Sequence, residues 1–153
     1  MEGKEKGDMK KVLVVGSLNM DMVLSVDHHP VPGETIIGDG ITYHPGGKGA
    51  NQAYAVGKLG GDVRIIGCVG WDNNGMILTE NLAQAGVDTT AINRMPEAPT
   101  GMAIIDVDKK GDNSIIVISG ANACLTPDLL RKQKASVEWS DFIMTQLETP
   151  IDT

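Results

Sequence analysis

Lys11-Val12-Leu13-Val14-Val15-Gly16 is a continuous apolar run that ends in glycine. A strand with one wet face alternates apolar and polar residues; an uninterrupted run belongs to a strand covered on both faces, as in a parallel sheet. That choice commits the chain to crossover connections and to helices on both sides of the sheet. It also locates the place to look for function, because ligands of such sheets gather at the carboxyl ends of the strands. Ser17, Asn19 and Asp21 follow at that end. Asn19 and Asp21 are two apart, so in an extended segment their side chains point the same way. An amide and a carboxylate side by side suit neighbouring hydroxyls, but taken alone the pair reads as a solvated turn.

The second informative stretch is Tyr43-His44-Pro45-Gly46-Gly47-Lys48-Gly49-Ala50-Asn51-Gln52-Ala53. Gly46 and Gly47 permit positive φ and a close backbone approach. A helix follows, with Ala50, Ala53, Ala55, Val56 and Leu59 as its apolar or small face and Gly60-Gly61 as its stop. A glycine turn feeding a helix offers unpaired N–H groups to an oxygen-rich ligand, and Asn51 in the first turn adds an amide. The stretch is not a Walker A loop, because Gly49 follows Lys48 where Ser or Thr is required. Gln52 occupies the third glycine position of the dinucleotide fingerprint, which argues against half of a dinucleotide-binding dehydrogenase. A turn used only for tight helix packing is the competing explanation.

The rest of the chain reads as α/β. Short strands are expected at about 22–26, then at Thr35–Ile37 and Ile41–Tyr43 around Gly38-Asp39-Gly40, forming a small accessory sheet. Asp62–Gly67 is a core strand, and a helix capped by Asn73 or Asn74 runs through Ala85 on Ile77, Leu78 and Leu82, with Asp72 as a turn residue. Gly101–Val107 and Ser114–Ser119 form a hairpin. Thr126 caps a helix with Pro127 in its first position, running to about Val137. Asp141–Leu147 is a last strand, with Glu148 at its carboxyl end. Thr149-Pro150 reads as the opening of a further helix, so the chain is expected to be the N-terminal part of a larger protein whose C-terminal part is missing.

Composition excludes several classes. The net charge is −7 and no basic cluster occurs, which argues against nucleic acid. No apolar stretch approaches the roughly 20 residues of a membrane span. Residues 1–10 are polar and read as a flexible tail without a secretory h-region. Cys68 and Cys124 are isolated and read as buried reduced thiols, consistent with a cytoplasmic protein. His28, His29 and His44 have no cysteine partners at zinc-ligand spacing, and no metal site is expected.

Together, strand-G-S-L-N-M-D, P-G-E-T, P-G-G-K-G-A-N-Q-A opening a helix, G-M-A-I-I-D-V, I-S-G-A-N-A-C-L-T and the late Q-L-E resemble the ribokinase-like (pfkB) sugar kinase family, in order and spacing, from about Lys11 to Pro150. The long glycine motif with the N-x-D pair resembles the ribose-directed branch more than the fructose or nucleoside branches. The resemblance implies a ribokinase-like fold, a parallel central sheet flanked by helices over residues 11–153. It adds a β-sheet lid from segments about 22–26, 35–43, 101–107 and 113–119. It implies sugar binding by Asn19, Asp21, Gly46, Gly47, Lys48, Asn51 and Glu148, with Gly46-Gly47 also a hinge and Ala103 and Ile115 as apolar lid contacts from the same subunit or its neighbour. The implied reaction is ATP-dependent phosphorylation of the ribose 5-hydroxyl with Mg²⁺ and a monovalent cation, by a homodimer joined through the lids. The catalytic base and the nucleotide and cation sites are implied to lie outside this chain, leaving it inactive alone. Another sugar or nucleoside as substrate, or a non-catalytic sugar-binding or assembly module, are the alternatives.

Overall fold

The computed structural model describes residues 9–153; the expected tail falls largely on residues 1–8, outside that range. Strands β1 (Lys11–Val15), β4 (Asp62–Gly70), β5 (Ile92–Met95) and β8 (Phe142–Thr145) form one sheet in the order β5-β4-β1-β8. All its pairings are parallel. The apolar run does what its pattern demands. Val14 joins a core with Ala50, Ala53, Ile65, Leu78 and Leu82, beneath helices α1 (Lys48–Lys58) and α2 (Asn73–Gln84). Leu13 and Val15 join a second core with Ile66, Cys68 and Leu125, packed by residues of α3 (Pro127–Lys132) and α4 (Lys134–Trp139). Successive residues of one strand thus feed opposite faces, and both faces carry helices.

A second sheet is built from β2 (Asn19–Ser25), β3 (Gly40–Gly46), β6 (Gly101–Val107) and β7 (Asn113–Ile118), in the order β3-β2-β6-β7. It is mixed: β2 runs antiparallel to β3 and parallel to β6, and β6 runs antiparallel to β7. Its register places Asp21, Ala103 and Val117 in one row and Tyr43, Met22, Ile104 and Ile116 in the next. Adjacent rows point to opposite faces of the pleat.

Several local expectations are corrected. Asn19 and Asp21 lie within a strand rather than in a turn before it. Thr35–Ile37 forms no strand, because pairing of β3 with β2 begins at Gly40 opposite Ser25 and leaves no partner for earlier residues. Asp72, not Asn73 or Asn74, caps α2: its carboxylate accepts from the Gly75 N–H at 2.8 Å. The same side chain accepts from the Thr100 N–H and hydroxyl, tying the cap to the start of β6. Ala55 on α1, Leu59 just past its end and Ile77 on α2 are exposed rather than core. Thr126 and Pro127 open α3 as expected, but the helix breaks at Gln133 (φ −96°, ψ 20°) and resumes as α4. The last strand is shorter than Asp141–Leu147, and its Phe142 and Ile143 are exposed beside the sheet edge. No described helix is long and apolar enough to cross a membrane.

Candidate functional site

The site is assembled where β1 hands over to β2 and where α1 begins. Gly49 packs directly on the end of β1: a Cβ there would fall 2.7 Å from Gly16 C and Ser17 N. Gly47 carries φ 93°, and a Cβ on it would fall 2.7 Å from the Asn19 nitrogen. The tight-packing reading holds at Gly49, and the positive φ expected of the turn is taken at Gly47, which only glycine does without strain.

Asn19, Asp21, Gly47, Lys48, Asn51 and Glu148 line one hollow of about 320 Å³. Ala103, Ile105, Ile115 and Val117 of the β6–β7 hairpin line it too. Of the residues singled out in the sequence, all but Gly46 face this space. Gly46 pairs with Asn19 across β3 and β2, and a Cβ on it would fall 2.1 Å from Asp21 Oδ2. Its part is to leave room for the Asp21 carboxylate. A more apolar hollow of about 260 Å³ lies beside β8, with Thr and Gln as its only polar side chains. It offers no titratable group for chemistry.

The expectation of free N–H groups at the start of α1 is overturned. Glu148 Oε2 accepts from the Ser17 hydroxyl at 2.6 Å and from the Lys48 N–H at 3.3 Å, and Oε1 pairs with the Lys48 ammonium. The Gly49 N–H donates to Ser17 Oγ at 3.4 Å, and the Ala50 N–H to the Ser17 carbonyl at 2.9 Å. A carboxylate of the chain itself occupies the position where a helix N-terminus takes an anion. What is left open for a ligand is side chains: Asn19, Asp21, Asn51 and the outer part of Glu148.

The two carboxyls are driven apart. Burial, then the Glu148 charge, push the Asp21 carboxyl above its ordinary value, with His44 opposing weakly. Burial also pushes Glu148 up, but its bonds from Lys48 and Ser17 outweigh that and leave it below the ordinary range. Glu148 is thus a firm anion, while Asp21 is the carboxylate that gains most from hydroxyl donors.

Sequence reasoning missed Ile105 and Val117, which follow from hairpin register, and Asn122. Asn122 is buried in the 3-10 helix Gly120–Cys124 and bonds to Leu18 and Asn19. No local pattern marks a residue whose partners lie about a hundred positions away. Among the described residues both cysteines are free. Cys68 is buried, with burial foremost and Cys124 second pushing its thiol up to about 12, while Cys124 is only half-buried.

A parallel sheet wrapped on both faces, a second mixed sheet over its carboxyl ends and a glycine turn between them define the ribokinase-like class of α/β proteins. Residues 9–147 match the model of the pfkB family carbohydrate kinases, and the chain belongs to that family. It is 45% identical over 144 residues to the ribokinase of Haemophilus influenzae, covering 94% of this chain and 47% of that protein. The crystal structure of ribokinase from Thermotoga maritima is similar with a TM-score of 0.86 and 42% identity, over 94% of this chain and 47% of that one. Arabidopsis thaliana ribokinase complexed with ribose and ATP has a TM-score of 0.83 and 32% identity, over 93% of this chain and 46% of that one. The chain spans about half the length of the curated relatives it matches.

Proposed function

We propose that this chain carries the sugar-binding half of a kinase that transfers the γ-phosphoryl group of ATP to the 5-hydroxyl of D-ribose. The observation that carries the reading is the single hollow shared by Asn19, Asp21, Asn51 and Glu148 under an apolar cover of Ala103, Ile105, Ile115 and Val117. A sugar has the matching character: an edge of hydroxyls and a face of C–H groups. Asp21 accepts from hydroxyls, Asn51 both donates and accepts, and Glu148 accepts from the side of α1. Because Glu148 and Lys48 already neutralise each other, the hollow keeps the Asp21 charge and favours an uncharged polyol over an anionic one. The Arabidopsis relative that is complexed with ribose and ATP supports ribose as that polyol.

Phosphoryl transfer also needs a nucleotide site, divalent metal and a base for the hydroxyl. The described residues offer no cluster that fits the metal. None of their His, Cys, Asp and Glu side chains gather in threes to hold a metal ion, and the lysine at the hollow is committed to Glu148. ATP, Mg²⁺ and a monovalent cation belong on this reading to the whole kinase, and this chain alone transfers no phosphoryl group. The second sheet serves as a lid, turning about Gly46-Gly47, and its outer face joins a second copy.

Titration of the labelled chain with ribose tests the reading. The amide signals of Asp21, Asn51 and Glu148 are expected to move together, whereas movement confined to other surfaces, or none, sinks it. Ribose-dependent release of ADP by the pure chain would refute the assignment of the catalytic parts elsewhere.

A further inference from the structure

Asn122 is 2% exposed and spends its whole amide on the β1–β2 junction. Its Oδ1 accepts from the Leu18 N–H at 2.9 Å, and its Nδ2 donates to the Leu18 carbonyl at 3.1 Å and to Asn19 Oδ1 at 2.7 Å. Turning this amide over would set N–H against N–H and oxygen against oxygen, so its orientation is dictated by the backbone of Leu18. The consequence passes to Asn19. With its oxygen held by Asn122, Asn19 turns its N–H₂ group the other way. That group has no acceptor among the described residues and is not sealed from solvent, and Asn19 lines the hollow. Gly101, opposite Asn19 in the β2–β6 register, clears the contact. A Cβ there would fall 2.2 Å from both Asn122 Nδ2 and Asn19 Oδ1.

We propose that Asn122 is a positioning residue that fixes Asn19 as a hydrogen-bond donor to the ligand, beside Asp21 as an acceptor. A free asparagine amide presents either end at little cost, because its terminal torsion is broad and two-fold. Locked by Asn122, the hollow offers one donor and one acceptor two residues apart on a strand. That pair suits a vicinal diol that accepts at one oxygen and donates from the other. The ligand part of this inference rests on the sugar-binding reading; the orientation of Asn19 does not.

Two measurements on the full chain decide it. In the isotope-labelled wild type, the side-chain amide protons of Asn122, bonded on both sides, are expected to exchange more slowly than those of Asn19, which is 4% exposed but has no acceptor for its N–H₂ group among the described residues. The reverse pattern overturns the proposal, and no variant has to fold for that result. In Asn122→Ala, the Asn19 amide signal is expected to shift or broaden as its orientation is freed, and an unchanged signal overturns it. The ribose dissociation constants of Asn122→Ala, Asn19→Ala and the double variant then form a cycle. Asn122→Ala is expected to weaken binding roughly tenfold, the worth of about one hydrogen bond, and to add nothing in the Asn19→Ala background. Equal losses in both backgrounds would show Asn122 acting by another route. If the wild type gives no response to ribose, the sugar reading fails, and the amide measurements still decide the orientation.

Discussion

The Asp21 carboxylate fills the space that a side chain on Gly46 would need, with an ideal Cβ falling 2.1 Å from Oδ2 and 2.6 Å from Cγ. The obstacle is the end of a flexible side chain, and Gly46 does not use positive φ. Gly46→Ala is therefore expected to fold with little loss of stability and to bind ribose poorly, because Asp21 has been pushed from its position. Gly47→Ala differs in kind. It meets backbone atoms of Asn19, Ser17 and Leu18 within 3 Å and forces φ 93° on a residue with a Cβ. A loss of about 1–3 kcal/mol is expected there. Denaturant melts and ribose titrations of the two variants check the contrast; equal stability of both would contradict it.

Asp21 also sets a pH dependence. Its folded-state carboxyl is raised by burial and by Glu148. A raised value means that the native state holds the proton more tightly than the unfolded chain. The associated stability is present below the ordinary carboxylate value and is lost as pH rises through the raised one. At neutral pH the Asp21 charge thus opposes folding. Asp21→Asn is expected to raise the melting temperature slightly while weakening ribose binding, the trade expected of a site residue. In the wild type, ribose affinity is expected to fall as pH drops through the raised Asp21 value, above the ordinary carboxylate range. A calorimetric titration from neutral pH into mild acid measures this, and a flat profile counts against Asp21 as the acceptor.

Ser17 is buried and holds Glu148 through a 2.6 Å bond to a charged oxygen. Removing that donor in Ser17→Ala leaves the oxygen only the longer bond from the Lys48 N–H. Hydrogen bonds to charged groups are worth about 1.5–3 kcal/mol, and a loss in that range is expected near neutral pH. Glu148 has a lowered folded-state value, so its stabilisation is present above the ordinary glutamate range and disappears as pH falls through the lowered one. The gap between wild type and Ser17→Ala is accordingly expected to shrink in acid. Urea melts across that range settle it; a gap that widens in acid would assign Ser17 another role.

How much of this was legible in the sequence follows from the range of the interactions. The buried strand Lys11–Val15, the glycine turn and the Thr126 cap are local patterns, and each formed as its chemistry requires. Asn19, Asp21, Asn51 and Glu148 are visible as polar groups at strand ends and a helix start, but their grouping into one candidate site, and the place of Lys48 in it, came from the family resemblance and not from local pattern. What escaped depends on pairing. Thr35–Ile37 has strand composition but no neighbour, and Asp72 outcompetes Asn73 and Asn74 because Thr100 also donates to it. The break at Gln133 carries no Pro or Gly, and nothing in the residues around it accounts for it. The occupied N-terminus of α1 needs Glu148 to arrive from the far end of the chain, which no window of sequence displays.

The face of the second sheet turned away from the hollow gives the last prediction. Tyr43 and Ile116 share a register row on that face, Ile118 lies on the same side, and all three are exposed. Ile116 is 62% exposed in a strand whose residues are all exposed. Exposed apolar residues on both edge strands, β3 and β7, are a liability unless another chain covers them. On the proposed reading a second copy does so. A two-fold contact repeats each residue, so one substitution places two charges in the interface. Ile116→Glu is thus expected to shift the chain to monomer in light scattering, with its far-ultraviolet circular dichroism unchanged. Ile37→Glu, equally apolar to charged but in the unpaired loop, is expected to leave the assembly as it was. A wild type that is monomeric at millimolar concentration, or an Ile116→Glu chain that still associates, removes the second sheet from the interface.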